Sequence, residues 1–190
     1  MEFRSSVPMT LLEMRDATFR RGSAVLAAPF SVDVAPGECV ARSFASAREA
    51  AIVALMAAGI AKATGGRVFV GEFDPRIQPV QVRRLVGYVP HEAVPHEFTS
   101  LEQYIEYRAM LWNLPRAGAV ATALALRDRL EEVHEAFAYP LIGALIAEPS
   151  LLVLDRPQSV YARQTREVAG SAAIFSTHLS EREARRFWNG

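Results

Sequence analysis

The stretch that decides the fold begins with Gly37-Glu38-Cys39-Val40-Ala41 and ends with Ala51-Ile52-Val53-Ala54-Leu55-Met56-Ala57-Ala58-Gly59. The first segment has the pattern of a short strand that enters a tight turn. The second is a continuous apolar run of the length expected for a buried helix. The sequence therefore predicts a strand, a loop and a helix in close succession.

The loop between these two segments lacks the residues that bind phosphate in a nucleotide-binding strand–loop–helix. Such a site has the pattern Gly-x-x-x-x-Gly-Lys-Ser/Thr, because its backbone N–H groups and its lysine surround the phosphates. This chain instead contains Phe44-Ala45-Ser46-Ala47-Arg48-Glu49-Ala50-Ala51-Ile52. The predicted strand, loop and helix are present, but the glycines, the lysine and the hydroxyl residue that bind phosphate are not at the positions of this pattern.

Composition limits the class of protein. A chain of 190 residues forms one domain with a buried core. Basic and acidic residues number 21 each, so no global field attracts nucleic acid. No apolar run is long enough to cross a bilayer, and the first residues lack the apolar core of a secretory signal. We expect a cytoplasmic protein without nucleic-acid binding or direct membrane insertion.

The only cysteine, Cys39, excludes an internal disulfide. Because it falls in a predicted strand, we expect it to be a buried, packed thiol and not a reactive one.

Strands and helices alternate along the chain. Apolar runs bounded by Pro or Gly predict strands at 11–19, 30–34, 39–41, 67–70 and 85–89, followed by buried strands at 151–155 and 172–176. Helical spacing predicts helices at 101–112, 117–133 and 138–147, the first of them preceded by a capping box from Thr99 to Glu102. This alternation predicts an α/β fold with a parallel sheet and flanking helices.

The last two buried strands end in polar residues. One ends at Asp155 and the other runs into Thr177-His178. Parallel sheets bind ligands beyond the carboxyl ends of their strands, so the candidate site lies there.

Six segments together resemble the nucleotide-binding subunit of an ABC transporter, of the exporter type. They are Ala35-Pro36-Gly37-Glu38, Thr64-Gly65-Gly66-Arg67-Val68, Val86-Gly87-Tyr88-Val89-Pro90, the run from Phe98 to Pro115, Glu148-Pro149-Ser150-Leu151-Leu152-Val153-Leu154-Asp155-Arg156-Pro157 and Ile174-Phe175-Ser176-Thr177-His178. The resemblance covers nearly the whole chain and implies a P-loop NTPase fold. It implies one ABC-ATPase-like domain over 1–190, with an inserted helical subdomain over 92–140. The segment from Asp155 to His178 is short for the family, and the family's terminal strands are missing, so the resemblance implies a truncated version of the fold.

Placed on the family's phosphate loop, this sequence departs from it throughout. The glycines of the loop fall on Phe44, Ala47 and Glu49, the lysine on Ala50, and the two hydroxyl residues on Ala51 and Ile52. Side chains at the glycine positions block the approach of phosphate to the backbone. The carboxylate of Glu49 would repel a polyanion by roughly 4 kcal/mol at about 4 Å. We therefore expect no nucleotide-binding residues in this loop.

The other functional positions of the family have changed as well. The glutamine that senses Mg²⁺ falls on His91, and the carboxylate that orients the attacking water falls on Arg156. The signature segment falls on 131–135, which would present three acids at a helix N-terminus. Only Asp155 and His178 keep the family's identity, and we expect no catalytic residues.

Each remnant has a structural alternative. Asp155 either caps the following turn or binds metal, and the missing partners favour the cap. We favour a structural, hydrogen-bonded role for His178 over a catalytic one. His91, His96 and Glu92 match no strong metal-binding spacing, so we favour a solvated loop and expect no metal site.

Four aromatic residues mark the predicted helical subdomain: Phe98, Tyr104, Tyr107 and Trp112. In the family this subdomain borders the groove that holds the cytoplasmic helices of a membrane partner. Tyr and Trp are residue types that anchor interfaces. Packing in the subdomain core and contact with a partner are equally good interpretations of these side chains.

We favour a non-catalytic pseudo-ATPase subunit of an export complex, without a cofactor. Its partners would be a homologous active ATPase, a membrane permease, or both, which would place it at the inner face of the cell membrane. One alternative is an active ATPase that uses ATP and Mg²⁺ with Arg48 in place of the lysine. The other is a scaffold subunit of an assembly unrelated to transport.

Overall fold

A computed structural model of the chain describes residues 10–91 and 100–189. The strands are β1 (Leu12–Arg21), β2 (Ala24–Val34), β3 (Cys39–Ser43), β4 (Gly65–Val70), β5 (Val86–Val89), β6 (Leu151–Asp155) and β7 (Ala173–His178). The helices are α1 (Ala47–Ala57), α2 (Pro79–Leu85), α3 (Leu101–Trp112), α4 (Arg116–Asp128), α5 (Glu135–Leu145), α6 (Ala162–Ala169) and α7 (Glu181–Asn189), with a 3₁₀ turn at Ser159–Tyr161.

Two sheets form the framework of the molecule. The order of the antiparallel sheet is β2-β1-β4, and that of the parallel sheet is β3-β7-β6-β5. The parallel sheet and its helices confirm the predicted α/β fold. The sequence did not indicate that the first two strands and β4 pair separately in an antiparallel sheet.

The parallel sheet separates two apolar clusters. Its residues Val153 and Phe175 face α1 and the antiparallel sheet. Leu152, Leu154 and Ile174 face the helical side, which contains α3, α4 and α5. Both faces of the central strands are covered, so β6 and β7 are buried along their whole length.

The helices α3, α4 and α5 form one block between β5 and β6. This block overlaps the predicted helical subdomain, of which residues 92–99 lie outside the described residues, and Pro140, its expected last residue, lies inside α5. The N-cap of α3 is Ser100, whose hydroxyl accepts a hydrogen bond from the Gln103 N–H. The cap therefore lies one residue after Thr99, which falls outside the described residues. None of the described helices has the length and hydropathy that crossing a membrane requires.

Cys39 corrects a sequence expectation, because its side chain is exposed and not buried. The strand pattern suggested a central strand, but β3 pairs with β7 alone among the described strands and so lies at a sheet edge. Partial desolvation raises the pKa of the Cys39 thiol.

Candidate functional site

The carboxyl ends of four parallel strands meet at one edge of the sheet. Register places Ser43 beside His178 and Asp155 beside Thr177, with Val89 beside Leu154. The structure thus brings together the ends of the strands that carry the predicted site residues Asp155 and His178. Whether these residues can act on a nucleotide depends on what surrounds them.

The connection from β3 to α1 is only three residues long, from Phe44 to Ser46. A phosphate loop needs a longer connection whose glycines permit the backbone to surround the phosphates. The residues with positive φ in the described chain include none between Ser43 and Ile52. The chain therefore passes directly from strand to helix without the wide turn that binds phosphate.

Phe44 occupies the first glycine position with a buried side chain. Its ring meets Phe30 edge to face with 5.1 Å between centroids, and Phe30 lies 6.4 Å from Phe175. Phe44 therefore belongs to the apolar cluster beneath the antiparallel sheet. Its large side chain therefore stabilises the core at this position.

The N-cap of α1 is a side chain of the protein itself. The Ser46 hydroxyl accepts a hydrogen bond from the Glu49 N–H at 3.1 Å. Glu49 lies in the first helical turn, where its negative charge is favourable for the helix dipole. Its carboxylate also accepts from the Ala28 N–H at 3.3 Å. Glu49 thus has a structural role that the sequence pattern alone did not indicate.

The remaining loop positions carry no polar side chain. Ala50 is fully buried, while Ala51 and Ile52 are half-buried on α1, and Ala47 is exposed. None of these four residues has a side-chain group that binds a phosphate or Mg²⁺.

Asp155 is buried and pairs with its own neighbour. The Arg156 guanidinium donates from Nε to Asp155 Oδ1 at 2.9 Å and from Nη2 to Oδ2 at 3.2 Å. The Thr177 hydroxyl also donates to Oδ1, at 3.3 Å. Asp155 is therefore engaged by a bidentate ion pair with Arg156, a contact that the sequence pattern did not indicate.

An unusual backbone conformation permits this pairing. Neighbouring side chains in a strand point to opposite faces. Arg156, however, follows the end of β6 and has φ of 48°, in the left-handed region. This conformation turns its guanidinium back onto Asp155, and its N–H donates to Thr177 Oγ1 at 3.3 Å.

His91 joins this cluster through the backbone. Its Nδ1 lies 3.0 Å from the Arg156 carbonyl oxygen, so Nδ1 carries the proton and donates. His91 is therefore a hydrogen-bonded residue at the site and not simply a solvated one. Glu92 and His96 lie outside the described residues, and the described part of the chain contains no group of three or more His, Cys, Asp or Glu side chains placed to hold a metal ion.

His178 is buried and hydrogen-bonded, which agrees with the structural interpretation. Its Nε2 lies 3.0 Å from the Ser176 hydroxyl, and its ring lies 5.3 Å from that of Phe187 on α7. Burial lowers the pKa of His178 to about 4, against a smaller opposite influence from Glu183. The ring is therefore neutral near pH 7.

The signature region differs from its sequence interpretation in one respect. Helix α5 begins at Glu135 and has His134 as its N-cap, so its first turn contains one acid and not three. The His134 Nδ1 accepts from the Ala136 N–H at 3.2 Å. The backbone N–H of His134 donates to the Tyr161 hydroxyl at 3.4 Å, and Tyr161 stacks on Phe137. This helix N-terminus is also satisfied internally.

Two cavities flank Arg156 at this edge of the sheet. A cavity of about 70 Å³ lies between Asp155, His91 and the start of α5. An open groove of about 370 Å³ lies on the other side, bounded by His178, Val160 and Leu179. Its lining combines the exposed apolar residues Val160 and Leu179 with polar side chains, which include Arg156, Gln158 and Ser159.

No family model and no curated protein matches the sequence. Among solved structures, the chain is similar to the ATP-binding subunit of an ABC transporter, with a TM-score of 0.70 and 22% identity over 92% of this chain and 83% of that chain. It is also similar to cbiO1 from Clostridium perfringens, part of the ABC transporter complex cbiONQ, with a TM-score of 0.74 and 15% identity over 94% and 82% of the two chains. The predicted resemblance is thus confirmed at the level of the fold, which is that of ABC transporter ATP-binding subunits.

Proposed function

We propose that this protein is a non-catalytic pseudo-ATPase subunit that acts through a partner. The observation that carries the proposal is the three-residue connection from β3 to α1, in which Phe44 is buried and Ser46 caps the helix. A phosphate at this helix terminus would have to displace the Ser46 cap to reach the Glu49 N–H, and the side chain of Phe44 occupies the core directly before it.

The cluster around Asp155 supports the same proposal. Mg²⁺ is normally held by carboxylate oxygens with room for water ligands. Both oxygens of Asp155 already accept hydrogen bonds from Arg156. Arg156 also replaces a water-orienting carboxylate with a cation, which cannot accept a proton from water.

The partner we propose is an active homologous ATPase, a membrane permease, or both. The similar protein cbiO1 is part of an ABC transporter complex. A subunit of such a complex would be cytoplasmic and held at the inner face of the membrane by its partner, without a cofactor of its own.

The surface of α3 is the region we propose for partner contact. Tyr107, Met110 and Leu111 are exposed by 43%, 70% and 57%, and they lie within one and a half turns of one helix. Exposed apolar groups this close together favour a covering partner. Trp112 is half-buried at the end of the same helix.

One of the four predicted partner residues is buried in the structure. Tyr104 is 8% exposed and lies against Gly143, where an added Cβ would be 2.6 Å from its hydroxyl oxygen. It is therefore a core residue of the helical block, and we remove it from the proposed surface. Phe98 lies outside the described residues.

Binding of Mg-ATP to the full chain tests the proposal directly. We expect calorimetry to detect no binding, and we expect no rise in melting temperature with ATP. An ATP-binding subunit with an intact phosphate loop, measured under the same conditions, is the positive control. Micromolar affinity would overturn the proposal and support the alternative of an active ATPase that relies on Arg48.

Restoring one catalytic group tests whether the rest of the site still functions. We expect Arg156→Glu to show no ATPase activity, because water activation is ineffective when the phosphates and Mg²⁺ are not held. Arg156→Gln is the matched control, since it also removes the pair with Asp155 but adds no carboxylate. Phosphate release by the Glu variant above that of the Gln variant would contradict the proposal.

Purification of the native complex separates transport from the scaffold alternative. A membrane permease present in stoichiometric amount would support the export complex. A complex composed only of soluble proteins unrelated to transport would support the scaffold. Neighbouring genes that encode a permease and an intact ATPase would favour the first outcome.

A further inference from the structure

One edge of the parallel sheet presents backbone groups without a partner strand. Among the described strands, β3 pairs only with β7, in parallel register from Cys39 opposite Ile174 to Ser43 opposite His178. The Ile174 N–H donates to the Glu38 carbonyl, and the Phe44 N–H donates to the His178 carbonyl. Even-numbered residues of β3 therefore bond to β7.

The odd-numbered residues of β3 face the other way. In a parallel ladder, alternate residues of a strand direct their N–H and C=O groups to opposite sides. The N–H and C=O groups of Cys39, Ala41 and Ser43 thus point away from β7. Within the described chain, the one hydrogen bond recorded for these groups is from Arg42 Nη1 to the Ala41 carbonyl, at 2.9 Å.

The other sheet edges are protected by recognisable features. In β2, Pro29 has no N–H, and the neighbouring Ala28 N–H donates to Glu49. In β4, Val70 exchanges hydrogen bonds with Phe73 at 3.0 and 3.1 Å. Three of the four residues of β5 are buried. A bare strand edge is a template for pairing with another chain, and β3 lacks these protections.

A groove of about 230 Å³ runs along this edge. Ala41, Arg42 and Ser43 form one wall, and Glu181, Ala184 and Arg185 of α7 form the other. Glu181 and Arg185 pair with each other at 3.0 Å. Arg42 is exposed, and no ion pair joins it to a carboxylate of the described residues. The groove therefore offers a ligand the outer side of β3 together with an exposed cation.

We propose that the β3 edge binds an extended segment of another polypeptide, which adds a fifth strand to the parallel sheet and carries an acidic side chain opposite Arg42. Its main chain would bond to Cys39, Ala41 and Ser43, as in other cases of strand addition. Arg42 would leave the Ala41 carbonyl and pair with the incoming carboxylate, so it both covers the edge and selects the ligand. Strand addition at β3 would not require the protein to bind nucleotide or to have lost that ability.

A second copy of this chain fits the edge less well. Antiparallel pairing of two β3 strands centred on Ala41 would bring the two Arg42 side chains to diagonal positions across the pair. Like charges across neighbouring strands destabilise pairing. The charge on this edge therefore favours a different, acidic strand.

Amide exchange of the full-length protein, followed by NMR, tests the inference. The probe is a synthetic peptide of alternating Thr and Val with a central Glu. With saturating peptide, we expect exchange of the Ala41 and Ser43 amides to slow at least ~10-fold. The Arg42 and Phe44 amides, already bonded to β7, should change little. A peptide with Lys in place of Glu should give no protection.

Paired variants locate the binding. Ala41→Pro removes the outward N–H without removing a bond to β7, and we expect it to abolish the protection of Ser43. Ala41→Ser keeps the N–H and should bind as the original does. If the Pro variant does not fold, a probe N-methylated on the groups that face β3 replaces it and should not bind. Arg42→Ala should lose the preference for the Glu peptide over the Lys peptide.

Three outcomes would overturn the inference. They are an absence of protection with the Glu peptide, equal binding by Ala41→Pro or by the N-methylated probe, and protection that grows with protein concentration in the absence of peptide. The last of these would assign the edge to self-association.

Discussion

The β3–α1 connection and the surface of α3 differ in how far the fold itself uses their side chains. In the first region, Phe44 is buried in the core and the polar groups of Ser46 and Glu49 bond to the chain's own backbone. In the second, Met110 and Leu111 remain exposed beside Tyr107. The β3–α1 connection is thus part of the folded core and its hydrogen bonds, while the surface of α3 exposes large apolar side chains to solvent.

The two regions differ in what their residues contribute to the folded state. A residue needed only for folding is buried or has its hydrogen bonds satisfied. An exposed cluster of large apolar side chains contributes little to the stability of the free protein and increases the risk of aggregation. This difference supports the surface of α3, and not the β3–α1 connection, as the region proposed for contact with a subunit partner.

The largest expected effect on stability comes from replacing Phe44 with glycine, the residue that the phosphate-loop pattern has at this position. Phe44→Gly should lower the free energy of unfolding by about 4 kcal/mol, because it removes a buried ring and leaves a cavity beside Phe30. Urea denaturation measures the loss, with Phe44→Leu as a control that keeps an apolar side chain and should cost clearly less. If the Gly variant is as stable as the Leu variant, or gains affinity for ATP, the connection is not a structural element.

Acid should weaken the fold through His178. Burial lowers the pKa of this residue to about 4 in the folded protein, below the ordinary value of 6.5. Since the unfolded chain binds the proton more readily, stability is complete above about pH 6.5 and is lost as the pH falls toward 4. We expect a loss on the order of 2–3 kcal/mol from this group.

The His178→Gln variant isolates that contribution from the titration of carboxylates. Its side chain can still hydrogen-bond to Ser176, but it binds no proton in this range. The difference in stability between the original protein and the variant should therefore diminish from pH 7 to pH 4. A constant difference would mean that His178 titrates as an exposed residue and that the site is open to water.

Truncation on α3 should affect assembly more than it affects the fold. We expect Tyr107→Ala to weaken complex formation by about 2 kcal/mol, the size of a hot-spot residue, and this loss should exceed any decrease in the free energy of unfolding. Tyr104→Ala, on the buried side of the same helix, is the matched control and should destabilise the free protein. A pull-down of the native complex beside melting curves measures both quantities.

The proposed role of α3 would be contradicted if complex formation changed only as much as the stability of the free protein. Normal complex formation by Tyr107→Ala would leave the surface of α3 without a role. Weakening that matched the loss of stability would return Tyr107 to a structural role, like that of Tyr104.

The buried parts of the fold could be predicted from local sequence. The strand expected at 151–155 coincides with β6, and the one at 172–176 overlaps β7, because both are continuous apolar runs with polar ends. Ends of helices were less certain. Helix α4 stops at Asp128 and not at residue 133, because Leu130 and Val133 pack as a buried turn before α5.

The arrangement of strands and the local conformation of the site could not be predicted in this way. The exposure of Cys39 depends on the position of β3 at an edge, which is a property of the whole sheet. The pairing of Asp155 with Arg156 depends on a left-handed backbone at a residue other than glycine. Neither feature leaves a periodic signal in the sequence.

The smallest expected effect comes from removing the serine N-cap at the start of α1 and at the start of α3. Ser46 accepts from the Glu49 N–H at 3.1 Å on α1, and Ser100 accepts from the Gln103 N–H at 3.3 Å on α3. If the start of α1 is now only a structural helix terminus, Ser46→Ala and Ser100→Ala should each cost about 1 kcal/mol of unfolding free energy. Replacement by Asp should preserve most of that stability at both sites, because Asp is as good an N-cap as Ser. Urea denaturation measures all four variants.

A phosphate-binding helix terminus would behave differently. An added carboxylate at residue 46 would repel the ligand, so phosphate or ATP would stabilise the protein with Ser at this position more than the Asp variant. Equal costs at the two helices, with no response to either anion, would mean that the start of α1 serves the fold in the same way as the start of α3.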